Sequence, residues 1–422
     1  MIARSLFSSK TTPSSAVSTI DSPAYARAVA GPAVPSSANR TGSGLLAIAL
    51  SCGAMFVGAC AMPQIVDPGS DGSVSTSDMM DGGTTGSKLS KWTASPAAFS
   101  TLYSEGGPGV PAGRRWKRDP HYVKDGTTEY VFMATSDSAT EQWSVSYFAQ
   151  QGSAVTPTSQ WRAAIAGKAG TWYGTDITAP SARFSAADKS VWFAANGDAT
   201  RPDYVFQIGR ATFDGTNWTI SQTPALAAPA FSGATPTTAR PDAYGATDPW
   251  VMTDGNNTTM YYAGLDCAAT PCKFQILRSV STDGGQTFPP GSVVLTGRSG
   301  VPDETGGVAG PSVLYRNGQW VMAYTAVKTV PTKSREGIRQ ALTSGAIGVA
   351  VSADGINWVP GTPTATSAIT RIGTYRSEGA SSPCLYEDGS AVRSYFGGLV
   401  IEQGTGFNYF NVATADWTEI LP

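Results

Sequence analysis

A single all-β domain, a five-bladed β-propeller of four-stranded antiparallel blades, is the fold this sequence predicts, and three observations predict it. From residue 118 onward one unit recurs five times, beginning "RDPHYVKDGTTEYVFMATS", "APSARFSAADKSVWFAANG", "TDPWVMTDGNNTTMYYAGLD", "AGPSVLYRNGQWVMAYTA" and "SPCLYEDGSAVRSYFGG". The anchoring prolines Pro120, Pro180, Pro249, Pro311 and Pro383 are spaced 60, 69, 62 and 72 residues apart. The composition, with 47 Gly, 28 Pro and only 14% charged residues among 422, suits many short strands joined by tight turns.

Each unit holds its Pro, an apolar strand, a turn built on Asp or Asn with Gly (Asp188-Lys189 in the second), and an aromatic-rich strand. Units of roughly 60–70 residues, each with two hairpin signals, match four-stranded blades, and self-similarity at a fixed period marks such arrays. Neither strand pattern nor spacing calls for a helix between strands, which disfavours a parallel α/β fold. Residues 89–117 lead into the first unit, and the sequence leaves open whether they complete the fifth.

A second signal recurs inside the units. "TFDGTNW" (212–218), "STDGGQTF" (281–288) and "SADGINW" (352–358) read as Asp-box turns. Asp214 and Asp283 each lie 34 residues after their anchoring Pro; Asp354 lies 43 after, the excess matching a polar insertion, "KTVPTKSREGIRQ", at 328–340. Asp416 in "TADW", 33 after Pro383, extends the series. In such turns the Asp carboxylate accepts backbone N–H bonds, Gly permits positive φ and the final aromatic packs beneath, a structural role.

Ahead of the repeats the chain divides into a leader (1–60) and a tether (61–88), with the propeller over 89–422. The apolar run "GLLAIALSCGAMFVGAC" (44–60) has the length of a signal h-region and falls short of a membrane span of about 20 residues. Its end, Val57-Gly58-Ala59-Cys60, resembles a bacterial lipobox, so a secreted, cell-envelope lipoprotein lipidated at Cys60 is expected, with the membrane met only through that anchor. The residues before the run exceed what a signal needs, so a translation start further downstream is an expectation that the sequence leaves open. Residues 61–88 are Gly, Ser, Asp and Thr with little to bury, a flexible tether. Cys267 and Cys272 bracket "AATP" and predict a local disulfide, Cys384 reads as a buried thiol, and Cys52 lies in the leader. The cysteine spacing offers no zinc site. No basic block points to nucleic acid, and a monomer is expected.

The five units supply their own comparison for the residue before each anchoring Pro, which is Asp119, Ala179, Asp248, Gly310 and Ser382 in order. Inner strands of a propeller start at its axis, so these positions converge on one pocket. Ala and Gly serve in two units, so a carboxylate there is optional for folding. Two acids at matching places facing one pocket are a functional signal.

Residues 110–422 resemble the five-bladed propeller glycosidases, glycoside hydrolase family 43 and the wider arabinanase, levansucrase and invertase group. The resemblance implies that "RDPHYV" carries the catalytic base, Asp119, and that "TDPWVMTDGNNTTMYYAG" carries the residue that orients the acid and tunes its pKa, Asp248. The chain departs from the family in two places. Ser181 stands where "APSARF" aligns with a motif that often ends in an acid, and Ala309 of "AGPSVLY" stands where a Glu-Gly-Pro motif carries the general acid. Glu378 in "RSEGASSPCLY" and Glu304 in "PDETGGVAGP" are the substitutes the sequence offers. The family often has a His near a bound central cation in blade 5; the single His here is His121, in unit 1, so neither metal nor cofactor is expected.

Glycoside hydrolysis needs one carboxylic acid to protonate the leaving oxygen and a carboxylate opposite, about 6.5–9.5 Å away in inverting enzymes. The expected function is therefore an inverting glycoside hydrolase of pentose- or fructose-containing oligo- or polysaccharides. Trp116, Trp172, Tyr173, Tyr244, Trp250 and Tyr375 flank strand starts and are candidates to stack on sugar faces, with packing between blades as the competing role. Arg118 is a candidate to bond a sugar hydroxyl or to pair with Asp119. The competing reading is a non-catalytic, carbohydrate-binding or structural propeller that has lost its acid at Ala309. A sialidase-like reading, raised by the Asp-boxes, lacks an arginine cluster and a Tyr–Glu nucleophile pair.

Overall fold

The computed structural model describes residues 89–94, 98–99, 116–136, 142–151, 160–185, 188–197, 205–254, 257–343, 345–361, 371–372, 375–402 and 408–420. All of them belong to the compact unit Gly83–Pro422. The leader, Cys60 and the tether lie outside the described residues.

Five antiparallel meanders follow one another, one per sequence unit, those of units 3 and 4 linked into one sheet by a parallel pairing of Phe274 with Gly307. Unit 1 runs Trp116–Asp125, Thr128–Ser136, Trp143–Gln151 and Gln160–Ile165; unit 2 runs Asp176–Phe184, Lys189–Asn196, Gln207–Phe213 and Trp218–Ile220. Unit 3 comprises Ala246–Asp254, Asn257–Asp266, Lys273–Ser281 and Ser292–Thr296, and unit 4 Gly307–Arg316, Gln319–Val327, Ala346–Ser352 and Val359–Pro360. Unit 5 has Tyr375–Asp388, Ala391–Glu402 and Asn408–Ile420, and its fourth strand is Lys91–Ala94, from the start of the domain. That pairing settles the role the sequence leaves open for the first described residues.

The turn chemistry closes the first hairpins as the residue types require. Arg316 and Gln319 pair across Asn317-Gly318, both at positive φ (50° and 82°), the conformation that favours Asn-Gly in two-residue hairpins. The first strand of every unit is bulged at its anchor. Pairing skips from Arg118 to His121, Thr178 to Ser181, Thr247 to Trp250, Ala309 to Ser312 and Ser381 to Cys384. The residue before each Pro sits at φ 50–53° in all five units. A bulge takes two residues out of the ladder, which accommodates a Pro that has no N–H to donate.

The side chain after each anchoring Pro then bonds the backbone of the next unit, two residues past that unit's own Pro. His121 Nε2 lies 3.0 Å from Ala182 O, and Val251 N–H donates to Ser181 Oγ at 2.9 Å. Trp250 Nε1 donates to Val313 O at 2.8 Å, and Leu385 N–H donates to Ser312 Oγ at 2.7 Å. Tyr122 N–H donates to Cys384 Sγ at 3.1 Å, which ties unit 5 back to unit 1. The apolar core lies between neighbouring sheets. Phe132 and Val145 of unit 1 meet Ile177, Val191 and Phe193 of unit 2, while Val321 and Ala323 of unit 4 meet Ala380 and Phe396 of unit 5.

Asp214, Asp283 and Asp354 each accept backbone N–H bonds within their turns: from Thr216 and Asn217, from Gln286 and Thr287, and from Ile356 and Asn357, at 2.7–2.9 Å. Asp416 departs from the series. It lies inside the strand Asn408–Ile420 opposite Arg393, its Oδ1 3.2 Å from Arg393 Nε. No Gly follows Asp416, so nothing supplies the positive φ the turn needs. Cys267 and Cys272 are joined in a disulfide, Cα atoms 4.3 Å apart, and Cys384 is a buried free thiol.

The expectation of no helix between strands also needs correction. The insertion in unit 4 contains a helix, Arg335–Thr343, that buries Ile338, Ala341 and Leu342. Their i, i+3, i+4 spacing is an apolar stripe of helical period, hidden in the sequence by the polar residues on the other face.

A candidate axial site

The five bulges bring the five left-handed residues together. Asp119, Ala179, Asp248, Gly310 and Ser382, with their prolines, His121 and Trp250, line one pocket. Asp and Gly tolerate this conformation better than Ala does, so the shared backbone pose is imposed by the fold, and only the side chain differs between units.

The Asp119 carboxylate is buried and well provided with donors. It accepts from Ala179 N–H at 3.2 Å and Ser382 Oγ at 2.7 Å, and Arg118 Nε lies 3.2 Å away. Arg118 in turn lies over the Trp143 ring, 4.6 Å from its centroid. Asp248, also buried, accepts from Thr247 Oγ1 at 3.3 Å and from Gly310 N–H. Burial, reinforced by the charge of Asp119 and only partly offset by Arg118, pushes the Asp248 carboxyl up to about 7. A carboxyl that is neutral at mildly acid pH cannot raise a neighbour's pKa by its charge, so the tuning role expected of Asp248 is available only once it ionises. Below that pH Asp248 is itself the proton holder.

Both carboxylates also serve the fold, each accepting the N–H of the left-handed residue in the following unit: Ala179 for Asp119, Gly310 for Asp248. Where unit 4 offers Gly310 instead of an acid, Thr325 Oγ1 accepts the Ser382 N–H at 2.8 Å. Capping and chemistry are therefore not exclusive at these positions, as the comparison of units alone implies they are.

Glu304 does not line the pocket. Arg298 holds it through Nη2 (2.6 Å), Nε (3.0 Å) and its backbone N–H (2.8 Å), and Tyr324 OH donates at 2.9 Å. These bonds outweigh burial and hold its pKa below the usual carboxylate value, so it has no proton to give near neutrality. Asp242 makes the same kind of tie, to Arg240 and to Tyr262 OH (2.8 Å). Asp242 and Glu304 both lie seven residues before an anchoring Pro, and Tyr262 and Tyr324 thirteen after. Comparing the units at those offsets would have marked Glu304 as structural.

Glu378 lies on the first strand of unit 5 at a second bulge, where pairing passes from Ser377 to Gly379. Its side chain, and that of Tyr375, are outside the described residues. At the place of the missing acid, Ala309 is fully buried opposite Thr325. Of the described aromatic candidates, Trp250 alone lines the pocket, its ring 4.6 Å from that of His121. Trp172 stacks on Phe193 at 5.9 Å, Tyr173 and Tyr244 are buried in the core, and Trp116 packs against Ala134 and Trp143. Packing within and between units claims them. Burial pushes the His121 imidazole down to about 4, so it is neutral near pH 7 and its Nε2–H donates to Ala182 O. Among the described residues no group of three or more His, Cys, Asp or Glu is placed to hold a metal ion.

No protein-family model matches the chain, and no curated protein matches it. Solved structures do. The α-L-arabinofuranosidase from Lactobacillus brevis aligns at TM-score 0.51 and 16% identity, over 71% of this chain and 90% of that one. The catalytic domain of the Coprinopsis cinerea GH62 α-L-arabinofuranosidase aligns at 0.50 and 14%, over 78% and 97%. CoXyl43, a GH43 β-xylosidase/α-arabinofuranosidase from a compost metagenome in complex with xylotriose, aligns at 0.50 and 12%, over 76% and 94%. At such identities the likeness is one of fold: this protein resembles the propeller glycosidases in architecture.

Proposed function

We propose that the protein is an inverting glycoside hydrolase of pentose- or fructose-containing glycans, built as a closed five-bladed propeller and tethered to the cell envelope through Cys60. The observation that carries the reading is a pair of buried carboxyls, from equivalent places in units 1 and 3, that line one pocket, with burial and the charge of Asp119 pushing Asp248 up to about 7. A carboxyl that its surroundings raise, beside a second that accepts from Ala179 N–H and Ser382 Oγ, can supply an acid and a base. The ring of bonds from each unit to the next, closing from unit 5 to unit 1, supports the propeller reading.

In this mechanism water attacks the anomeric carbon and gives its proton to Asp119. The bond from that carbon to the leaving oxygen breaks with its electron pair on the oxygen, which takes a proton from Asp248. Glu378, on the strand that also carries Ser382, is the second candidate donor; Glu304, tied to Arg298, is set aside. The buried Ala309 favours the competing reading, a propeller that binds carbohydrate without cleaving it.

The test is hydrolysis of aryl pentosides and pentose oligosaccharides by wild type, Asp119→Asn, Asp248→Asn and Glu378→Gln. Asp119→Asn is expected to lose about 10²–10⁴ in kcat on both substrate classes. Loss of the donor should spare the aryl glycosides, whose leaving groups need little protonation; whichever of the other two variants shows that split is the donor. A wild type that binds oligosaccharides but cleaves none of the panel would replace this reading with the binding one.

A further inference from the structure

The helix Arg335–Thr343 arises from unit 4, between Gln319–Val327 and Ala346–Ser352, yet the segment carrying it reaches units 2, 3 and 5. Arg335 Nε and Nη2 lie 2.7 and 3.0 Å from the Asp176 carboxylate, at the first residue of the first strand of unit 2. The same carboxylate accepts the backbone N–H of Trp143 in unit 1 at 3.3 Å. Lys333 Nζ sits 4.1 Å from the centroid of the Tyr244 ring, on the approach to unit 3, and Gly345 O accepts the Ala380 N–H of unit 5 at 2.8 Å. Ile338, Ala341 and Leu342 share one apolar cluster with Ala179 and Ala309, which belong to the anchors of units 2 and 4.

The first strands begin around the axis, so a segment that touches their starts in several units spans the opening between them. Burial on that side agrees. The residues two before each anchoring Pro, Arg118, Thr178, Thr247, Ala309 and Ser381, are only 6%, 1%, 2%, 0% and 3% exposed. A groove open to a sugar chain would leave such positions wet. The helix is also dispensable to its own sheet: Ala326 and Ala346 are paired neighbours, so a three-residue loop of Val327 and an Asn-Gly pair can join their strands.

We propose that the helix Arg335–Thr343 is a lid over the axial carboxylates, latched by Arg335 on Asp176, and that ligand reaches them from this side only when the latch opens. The latch suits release, because the Arg335 side chain is 41% exposed while Asp176 is buried; water and salt compete for its cation. Loops that gate a site are drawn from the least stable parts of a fold, and three apolar side chains hold this one. The proposal rests on the axial pocket being the ligand site, and it does not require that the ligand be hydrolysed.

The test uses the full chain, Arg335→Gln, and a protein in which an Asn-Gly turn replaces residues 328–345. In hydrogen exchange followed by mass spectrometry, helix amides should exchange faster than those of Gln319–Val327, and roughly fivefold or more faster still in Arg335→Gln. Carbodiimide coupling of glycine ethyl ester to Asp119 and Asp248 should speed up several-fold, about the same range, in the shortened protein. A helix that exchanges only as fast as those strands, or coupling rates equal in all three proteins, would make the segment a fixed plug and overturn the lid. Carboxyls that become reactive in a protein that neither binds nor cleaves pentose oligosaccharides leave the lid standing and remove the glycosidase reading. Equal hydrolysis by all three proteins does the reverse.

Discussion

Asp248→Asn separates the cost of burying a carboxyl from everything else that residue does. In the folded protein the group releases its proton near 7, whereas in the unfolded chain it does so near its ordinary 3.8. Between those values the native state binds more protons than the unfolded one, so the contribution of Asp248 to stability is fully present below about pH 4 and is lost as pH rises through 7. At about 1.4 kcal/mol per pH unit the whole loss is on the order of 4 kcal/mol. That is an upper bound, because part of the rise comes from the charge of Asp119 beside it rather than from burial. Asn keeps the shape and the tolerance of left-handed backbone but cannot ionise. The variant should therefore be about 1–3 kcal/mol more stable than wild type at pH 8 and no more stable at pH 4.5, with the gap opening between. Urea midpoints measured across that range provide the check. A difference that does not change with pH, or a variant that loses ground towards pH 8, would refute the assignment of a buried, proton-holding Asp248.

Two further substitutions test the geometry around the pocket. Ala179 occupies the left-handed region at φ 50°, where a Cβ is unwelcome; Ala179→Gly should stabilise the protein by up to about 1 kcal/mol in thermal melts, the relief of strain exceeding the added freedom of the unfolded chain. Destabilisation would show that the methyl's packing matters more. Glu304→Gln should cost about 1–3 kcal/mol in stability by stripping Arg298 of its charged partner, yet leave kcat on aryl glycosides and oligosaccharides in an unchanged ratio. A selective loss on the natural substrates would return Glu304 to the role of acid.

What the sequence by itself determined was local and periodic. The five anchors, the Asn317-Gly318 hairpin and the Asp214, Asp283 and Asp354 turns are written in residues a few positions apart, and the Cys267–Cys272 bridge follows from a short loop. Comparison among the units also singled out Asp119 and Asp248, although each also holds the backbone N–H of the following unit. The rest depended on neighbours far away in the chain. Asp248 holds its proton because burial and Asp119, more than 120 residues earlier, disfavour its charge. Glu304 looked free until Arg298 and Tyr324 closed on it, and Tyr244 and Trp172 read as sugar platforms until the packing between sheets absorbed them. The strand Lys91–Ala94 finds its partner in the last unit, more than 300 residues along the chain. The insertion in unit 4 reads as a polar loop, and only its burial against other units reveals a helix. Turn and strand propensities act through adjacent atoms, whereas desolvation, ion pairing and burial depend on which distant segments the fold brings together, and no local pattern encodes that meeting.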